Sequence, residues 1–259
     1  MRTSAIYSAF NARWISPEEV ARTFVPIPHL NTLVKFQNSL LMGPRGCGKT
    51  TLLKMLTRSA QTVWQRDRVL KDPALAAFDS PEFEAIYVPS DVRWSYELKA
   101  VESELPEDSV LAERIQRASI AMTSVSEAVN VFEMLLRQCG QVSTNVPVEL
   151  VRHLDLRNVV PTFPEIRLAL LSFGETISQA KVKRDSAFLQ SILDQLPTAF
   201  TGHALDTLNK ACAIYEEYAP KNAIPNKWAF CFDEVEIAPG SKENYSTRFE
   251  VTINDFCSN

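Results

Sequence analysis

Gly43-Pro44-Arg45-Gly46-Cys47-Gly48-Lys49-Thr50 constrains this chain more than any other stretch, because it meets every fixed position of the pattern G-x-x-x-x-G-K-[ST]. A loop that turns several backbone N–H groups toward one anion needs residues without a bulky Cβ, and three of the chain's seven glycines fall here. The flanks have the required form. Asn38-Ser39-Leu40-Leu41-Met42 reads as a short buried strand running into the loop. Thr51-Leu52-Leu53-Lys54-Met55-Leu56-Thr57 has helical spacing, which would turn a positive N-terminal end toward the loop. A chance glycine turn would need neither flank. The expected ligand is a nucleoside polyphosphate with its metal. Gly43 to Thr51 would line the phosphates, Lys49 would reach the β- and γ-phosphates, and the Thr50 hydroxyl would hold Mg²⁺.

A second stretch answers the first. Lys227-Trp228-Ala229-Phe230-Cys231-Phe232-Asp233-Glu234 is an apolar strand ending in two acids, the form of a Walker B element. Asp233 would stand at the strand's carboxyl end and bind the Mg²⁺ held by Thr50, directly or through water. Glu234 would project toward the γ-phosphate and polarise an attacking water. Many strands end in acids, so this pattern gains its meaning from the complete phosphate loop upstream. The adjacent glutamate also favours hydrolysis over phosphoryl transfer, since a water-activating base would waste the ATP of a small-molecule kinase.

At 259 residues the chain can bury a substantial core, in one large or two modest domains. With 46% hydrophobic and 22% charged residues, its composition is that of an ordinary globular protein. A net charge of −4 argues against a chain built mainly to coat nucleic acid. The five cysteines (47, 139, 212, 231 and 257) are scattered and without C-x-x-C spacing, which suits a reducing cytosol and gives no zinc or disulfide framework. No apolar run approaches the about 18 residues that cross a bilayer, and no signal-peptide pattern opens the chain, so no membrane partner and a cytoplasmic location are expected. His29, His153 and His203 are too dispersed to suggest a metal site.

Taken in order, the chain predicts mostly helices. Ser16-Pro17-Glu18-Glu19 writes a helix start, with Ser16 as N-cap, Pro17 at the first helical position and Glu19 completing a capping box. That helix would pack near an adenine or serve structure alone. After the loop, the helical pattern continues through Trp64 to about Val69, and Phe83 to Pro89 reads as a second strand. Asp91 beyond it is either ligand-facing or the cap of a Trp94–Val101 helix. From Val110 to Cys139, Leu111, Ile115, Ala118, Met122, Val125, Val129, Phe132 and Leu136 recur at three- and four-residue steps, a core-packing stripe closed by Gly140. Val148–Leu156, Pro164–Ile177, Ala187–Leu196 and His203–Tyr218 read as further helices. Lys181-Val182-Lys183-Arg184 is the one compact basic run, read as a solvated helix end or, more sharply, as a nucleic-acid contact.

The loop and its following Thr51-Leu52-Leu53-Lys54-Met55-Leu56 resemble those of AAA+ ATPases of the origin-recognition type. The similarity is closer to a group of bacterial ATPases of that class. There, a Ser-Pro-Glu-Glu-Val-Ala-x-x-Phe-Val-Pro stretch (here Ser16 to Pro26) precedes the loop, and Phe-Asp-Glu-x-Glu-Ile-Ala-Pro (here Phe232 to Pro239) carries Walker B. The resemblance implies an α/β P-loop NTPase core of the additional-strand type, ATP with Mg²⁺, and a place in a larger DNA-linked or antiviral-defence assembly. A homo-oligomer is a further implied partner. Lys49 and Asp233 lie roughly 180 positions apart, so a large helical insertion is expected between the second strand and the Walker B strand. The expected organisation is a helical lead-in over 1–37, the first part of the core over 38–91, the insertion over 92–225, and the Walker B strand with a short tail over 226–259.

Beyond Pro239 the chain departs from its resembled family, whose polar sensor, arginine finger and second sensor cannot be assigned here. Arg248 is the one arginine left and is not read as a finger. The tail from Lys242 to Asn259 is expected to be the product of a shifted reading frame, because codons chosen for it and read two bases later give a leucine- and arginine-rich pattern like the family's. Its Phe249–Ile253 segment alternates as a strand does and is the alternative occupant of the missing central strand. Two rival functions stand beside ATP hydrolysis. One is an interaction module that holds ATP without turnover, which the unassigned sensor residues favour. The other is a DNA-binding regulator, supported by Lys181–Arg184 alone. Cys47, beside a helix N-terminus, is read either as a thiol sensitive to alkylation or oxidation or as a small residue that serves only to fit the loop.

Overall fold

The computed structural model describes residues 15–25, 33–35, 37, 41, 46–67, 82–89, 109–140, 145–183, 186–202 and 204–233. The chain divides into two compact units, one of Met1–Pro89 with Pro225–Glu234 and the other of Ser90–Ile224 with Val235–Asn259.

In the first unit, helix α1 (Pro17–Thr23) begins where the sequence writes its start. The Ser16 hydroxyl accepts from the Glu19 N–H, and the Glu19 carboxylate accepts from the Ser16 N–H, each at 3.2 Å, so two amide donors that the helix leaves open are bound reciprocally. Helices α2 (Lys49–Met55) and α3 (Arg58–Asp67) replace the single helix that the apolar spacing predicts from the loop to about Val69. The break has a local cause. Leu56 and Thr57 tighten the end of α2 with bonds to the carbonyls three residues back, and the Thr57 hydroxyl donates to the Lys54 carbonyl at 2.7 Å. The Gln61 amide group then takes the Met55 carbonyl at 2.6 Å. Thr57 so closes one helix and opens the next.

Strands β1 (Glu84–Val88) and β2 (Trp228–Phe232) pair in parallel, Glu84 opposite Trp228 through Val88 opposite Phe232. Both lie within the stretches that the sequence marks as strands. A parallel pair needs a crossover connection, and this one uses the whole of residues 89–227. Val20, Ala21, Val34, Met55, Leu56, Ala60, Val63, Ala85 and Cys231 form the core of this unit. Phe24 meets Trp64 edge to face at 5.6 Å, which ties α1 to α3. The capped lead-in helix thus packs on the core of this unit. The predicted Asn38–Met42 strand lies outside the described residues except for Leu41, as do Asp91 and the predicted Trp94–Val101 helix.

The described residues of the second unit are mainly helical: α4 (Ser109–Gln138), α5 (Val146–His153), α6 (Phe163–Lys183), α7 (Ser186–Gln195) and α8 (Ala204–Tyr218), with single 3₁₀ turns at Thr198–Phe200 and Lys221–Ala223. All eight residues of the predicted stripe on α4, from Leu111 to Leu136, are buried. They pack mainly against α6 and α8. Phe132 stacks on Tyr215 with centroids 4.5 Å apart, and the Tyr215 hydroxyl donates to the Ala223 carbonyl at 3.0 Å. α6 runs six residues further than its sequence pattern suggests, so Lys181 and Lys183 belong to its last turn, while Arg184 lies outside the described residues. Among the described residues no helix is long and apolar enough to cross a membrane.

Candidate functional site

The site is built where α2 begins. Gly46 and Gly48 have φ of +84° and +92°, and Gly48 is the N-cap residue of α2. An added Cβ would meet nothing within 4 Å at either position among the described residues. The requirement for glycine is therefore one of backbone conformation, not of space. The Gly48 carbonyl accepts the Leu52 N–H at 3.0 Å, the first bond of α2, so the amides of the opening turn point out of the helix toward the loop. Lys49 occupies the first position of α2, and its ammonium lies 3.7 Å from the Cys47 sulfur. Thr50 and Thr51 follow in the same turn. Gly43, Pro44 and Arg45, the first part of the loop, lie outside the described residues.

Asp233 comes to Thr50 from the far end of the chain. It follows β2 directly, and its N–H donates to the Val88 carbonyl at 3.1 Å, which extends the ladder by one bond and fixes the backbone. Its side chain is 2% exposed. The Thr50 hydroxyl donates to Asp233 Oδ1 at 3.0 Å, and the Tyr87 hydroxyl donates to Oδ2 at 2.7 Å. A buried carboxylate is costly unless its lone pairs are bound, and here each oxygen has one hydroxyl donor. Glu234, the second acid of the pair, lies outside the described residues.

Tyr87 was not marked as a site residue by the sequence, although it falls in a recognised strand. Strand alternation alone could not mark it, because the shared face depends on the register of the two strands. Tyr87 stands opposite Cys231, and Asp233 is two residues beyond Cys231, hence on the same face and one diagonal step away. The Lys54 ammonium lies 5.4 Å from the Tyr87 ring centroid and donates to the Ile15 carbonyl at 2.7 Å. Lys54 is 5% exposed, so its charge is held within the protein by the ring and the carbonyl among others.

The donor set fits a small hard cation. Thr50 and Asp233 offer oxygen only, and Mg²⁺ is bound by one or two such groups plus phosphate oxygens and water. Adjacent oxygens of an octahedron with bonds of about 2.1 Å stand about 3 Å apart, and the observed separation is 3.0 Å. No cluster of three or more His, Cys, Asp or Glu side chains capable of holding a metal occurs among the described residues.

A glycine loop opening a helix, with a carboxylate brought from a neighbouring parallel strand to the hydroxyl of its first turn, defines a P-loop nucleotide-binding protein. The family model described as ORC-CDC6-like matches residues 5–241, so the chain belongs to that family and with it to the AAA+ nucleotide-binding ATPases. No curated protein and no solved structure matches the chain.

Proposed function

We propose that the chain binds Mg²⁺-ATP through Gly43–Thr51 and Asp233 and hydrolyses it with Glu234 as the residue that orients water. The observation that carries this reading is the 3.0 Å approach of Thr50 to Asp233, two residues 183 positions apart with no local reason to meet. Lys49 places a compact positive charge at the phosphates, the loop amides bind their oxygens, and Asp233 with Thr50 holds the cation. Mg²⁺, when bound, withdraws charge from the phosphate oxygens. Glu234 follows Asp233 and would hold the attacking water and accept its proton. The helical unit is read as an insertion into the P-loop core. The active species is read as an oligomer or a larger DNA-linked or antiviral-defence assembly, as its family resemblance suggested.

Phosphate release by the purified chain, with Mg²⁺-ATP titrations of Lys49→Ala and Glu234→Gln alongside, tests the reading. Lys49→Ala is expected to lose most ATP affinity. Glu234→Gln is expected to keep it while slowing turnover by roughly 10²-fold, as for loss of a general base. Unchanged ATP affinity in Lys49→Ala would refute the site. ATP bound without phosphate release by the unaltered chain would place it with the interaction modules that hold ATP without turnover.

A further inference from the structure

We propose that Tyr87 is the positioning residue of the cation site: its hydroxyl fixes the Asp233 carboxylate so that Oδ1 faces Thr50, and Lys54 fixes the tyrosine ring. The inference rests on the Mg²⁺-nucleotide reading of Thr50 and Asp233.

Three observations lead to it. The first is that the Asp233 backbone cannot orient its own side chain, because its N–H is committed to the Val88 carbonyl. Rotation about the bond to a carboxylate is soft, with broad two-fold preferences, so an aspartate aimed at a cation needs a fixed donor on its second oxygen. The second observation is that Tyr87 supplies this donor at 2.7 Å, from a strand whose register with β2 is set by the parallel ladder. The third is that the ring is itself restrained. It packs against the core of its unit and lies under the Lys54 ammonium, which the Ile15 carbonyl holds from the other side. Lys54 sits on α2 one turn beyond Thr50, so the helix that supplies the hydroxyl ligand also supplies the clamp on the tyrosine. Ligand, counter-ligand and support are thereby tied to one another.

Partners that orient the ligands of a metal typically contribute 10- to 100-fold to its affinity, and a neutral phenol belongs near the lower end of that range. The test uses the full chain and a fluorescent ATP analogue, whose dissociation constant is measured with EDTA and with saturating Mg²⁺. The ratio of the two constants reports how strongly cation and nucleotide support each other at the site. Tyr87→Phe keeps the ring and its place under Lys54 and removes the hydroxyl alone. Its ratio is expected to fall by about 10-fold, with the EDTA constant unchanged. An unchanged ratio in Tyr87→Phe overturns the proposal, and so does a parallel loss of affinity in both conditions, which would make Tyr87 a support of the loop alone. If the unaltered chain binds no nucleotide, the functional reading falls and takes this inference with it. If it binds and shows the Mg²⁺ effect, only Tyr87 is at issue.

A second measurement needs no substitution and so holds even if Tyr87→Phe fails to fold. In the unaltered chain labelled with 3-fluorotyrosine, adding Mg²⁺ to the nucleotide-bound protein is expected to move one fluorine resonance. If none moves, the proposal is overturned.

Discussion

Replacing Arg58 by methionine tests how the first unit tolerates the acid at the start of β1. Glu84 is 2% exposed, and its Oε2 is bound by both Nε and a terminal nitrogen of Arg58 at 2.5 Å. Its Oε1 is buried and has no hydrogen-bond partner among the described residues. Burial pushes the Glu84 carboxyl above its ordinary pKa, and the charge and hydrogen bond of Arg58 pull it back. Removing one partner of a fully buried pair costs about 3–5 kcal/mol, but the Arg58 side chain is 44% exposed and water can reach the vacated side. Hydrogen bonds to charged groups are worth about 1.5–3 kcal/mol, so about 2 kcal/mol is expected at neutral pH. The sign with pH follows from the direction of the shift. A carboxyl that holds its proton more tightly folded than unfolded contributes stability that is full below the ordinary value of 4.5 and fades as pH rises through the folded value. Arg58→Met removes both lowering influences, so its cost should be largest at neutral pH and shrink under mildly acidic conditions. Arg58→Met with Glu84→Gln should recover most of the loss. Urea unfolding followed by the fluorescence of Trp64 and Trp228, both in this unit, measures each cost. A cost independent of pH, or a double variant no better than the single, would refute the reasoning.

Two further outcomes follow from other parts of the same unit. Cys47 is exposed beside Lys49, whereas burial pushes the Cys231 thiol up to about 12 and raises that of Cys212 as well, so a thiol reagent should label Cys47 ahead of these two and ATP should protect it. Peptide mapping by mass spectrometry checks both points, and a Cys47 that labels no faster than Cys231, or labels equally with ATP, defeats them. Ser16→Ala removes the hydroxyl half of the capping box on α1 and should cost about 1 kcal/mol in urea unfolding. No measurable cost would mean that the packing of Val20 and Ala21 alone holds the helix.

The features legible in the sequence are those whose cause lies within a few residues. The capping box spans Ser16 to Glu19, and each strand declares itself by its own apolar run. The stripe on α4 repeats often enough over its length that all eight marked residues are buried. The break at Thr57 escaped because the apolar spacing runs across it unchanged, while its cause is a hydroxyl that can serve a helix interior or a helix end equally well. Tyr87 and Glu84 escaped for a different reason. The partner of Tyr87 lies 146 positions away and is reached only through the pairing register of β1 on β2, and the partner of Glu84 lies 26 positions away at the start of α3, which only the tertiary fold brings to β1. The loop and Asp233 could each be read as binding elements, but the distance between them belongs to the fold.

The parallel pairing of β1 with β2 also sets the order in which the protein can assemble. It closes a loop of residues 89–227, for which the chain-entropy cost is about 4 kcal/mol before any ladder bond offsets it. Helices within that interval form from contacts between near neighbours and are fast by comparison. Asp233 reaches Thr50 and Tyr87 only once β2 lies beside β1. The phosphate loop and its helix can take shape early, but the carboxylate that completes the site arrives with the slowest long-range contact in the first unit. A nascent chain therefore carries an unfinished nucleotide site until Asp233, the last of the described residues, has been made and β2 has paired with β1.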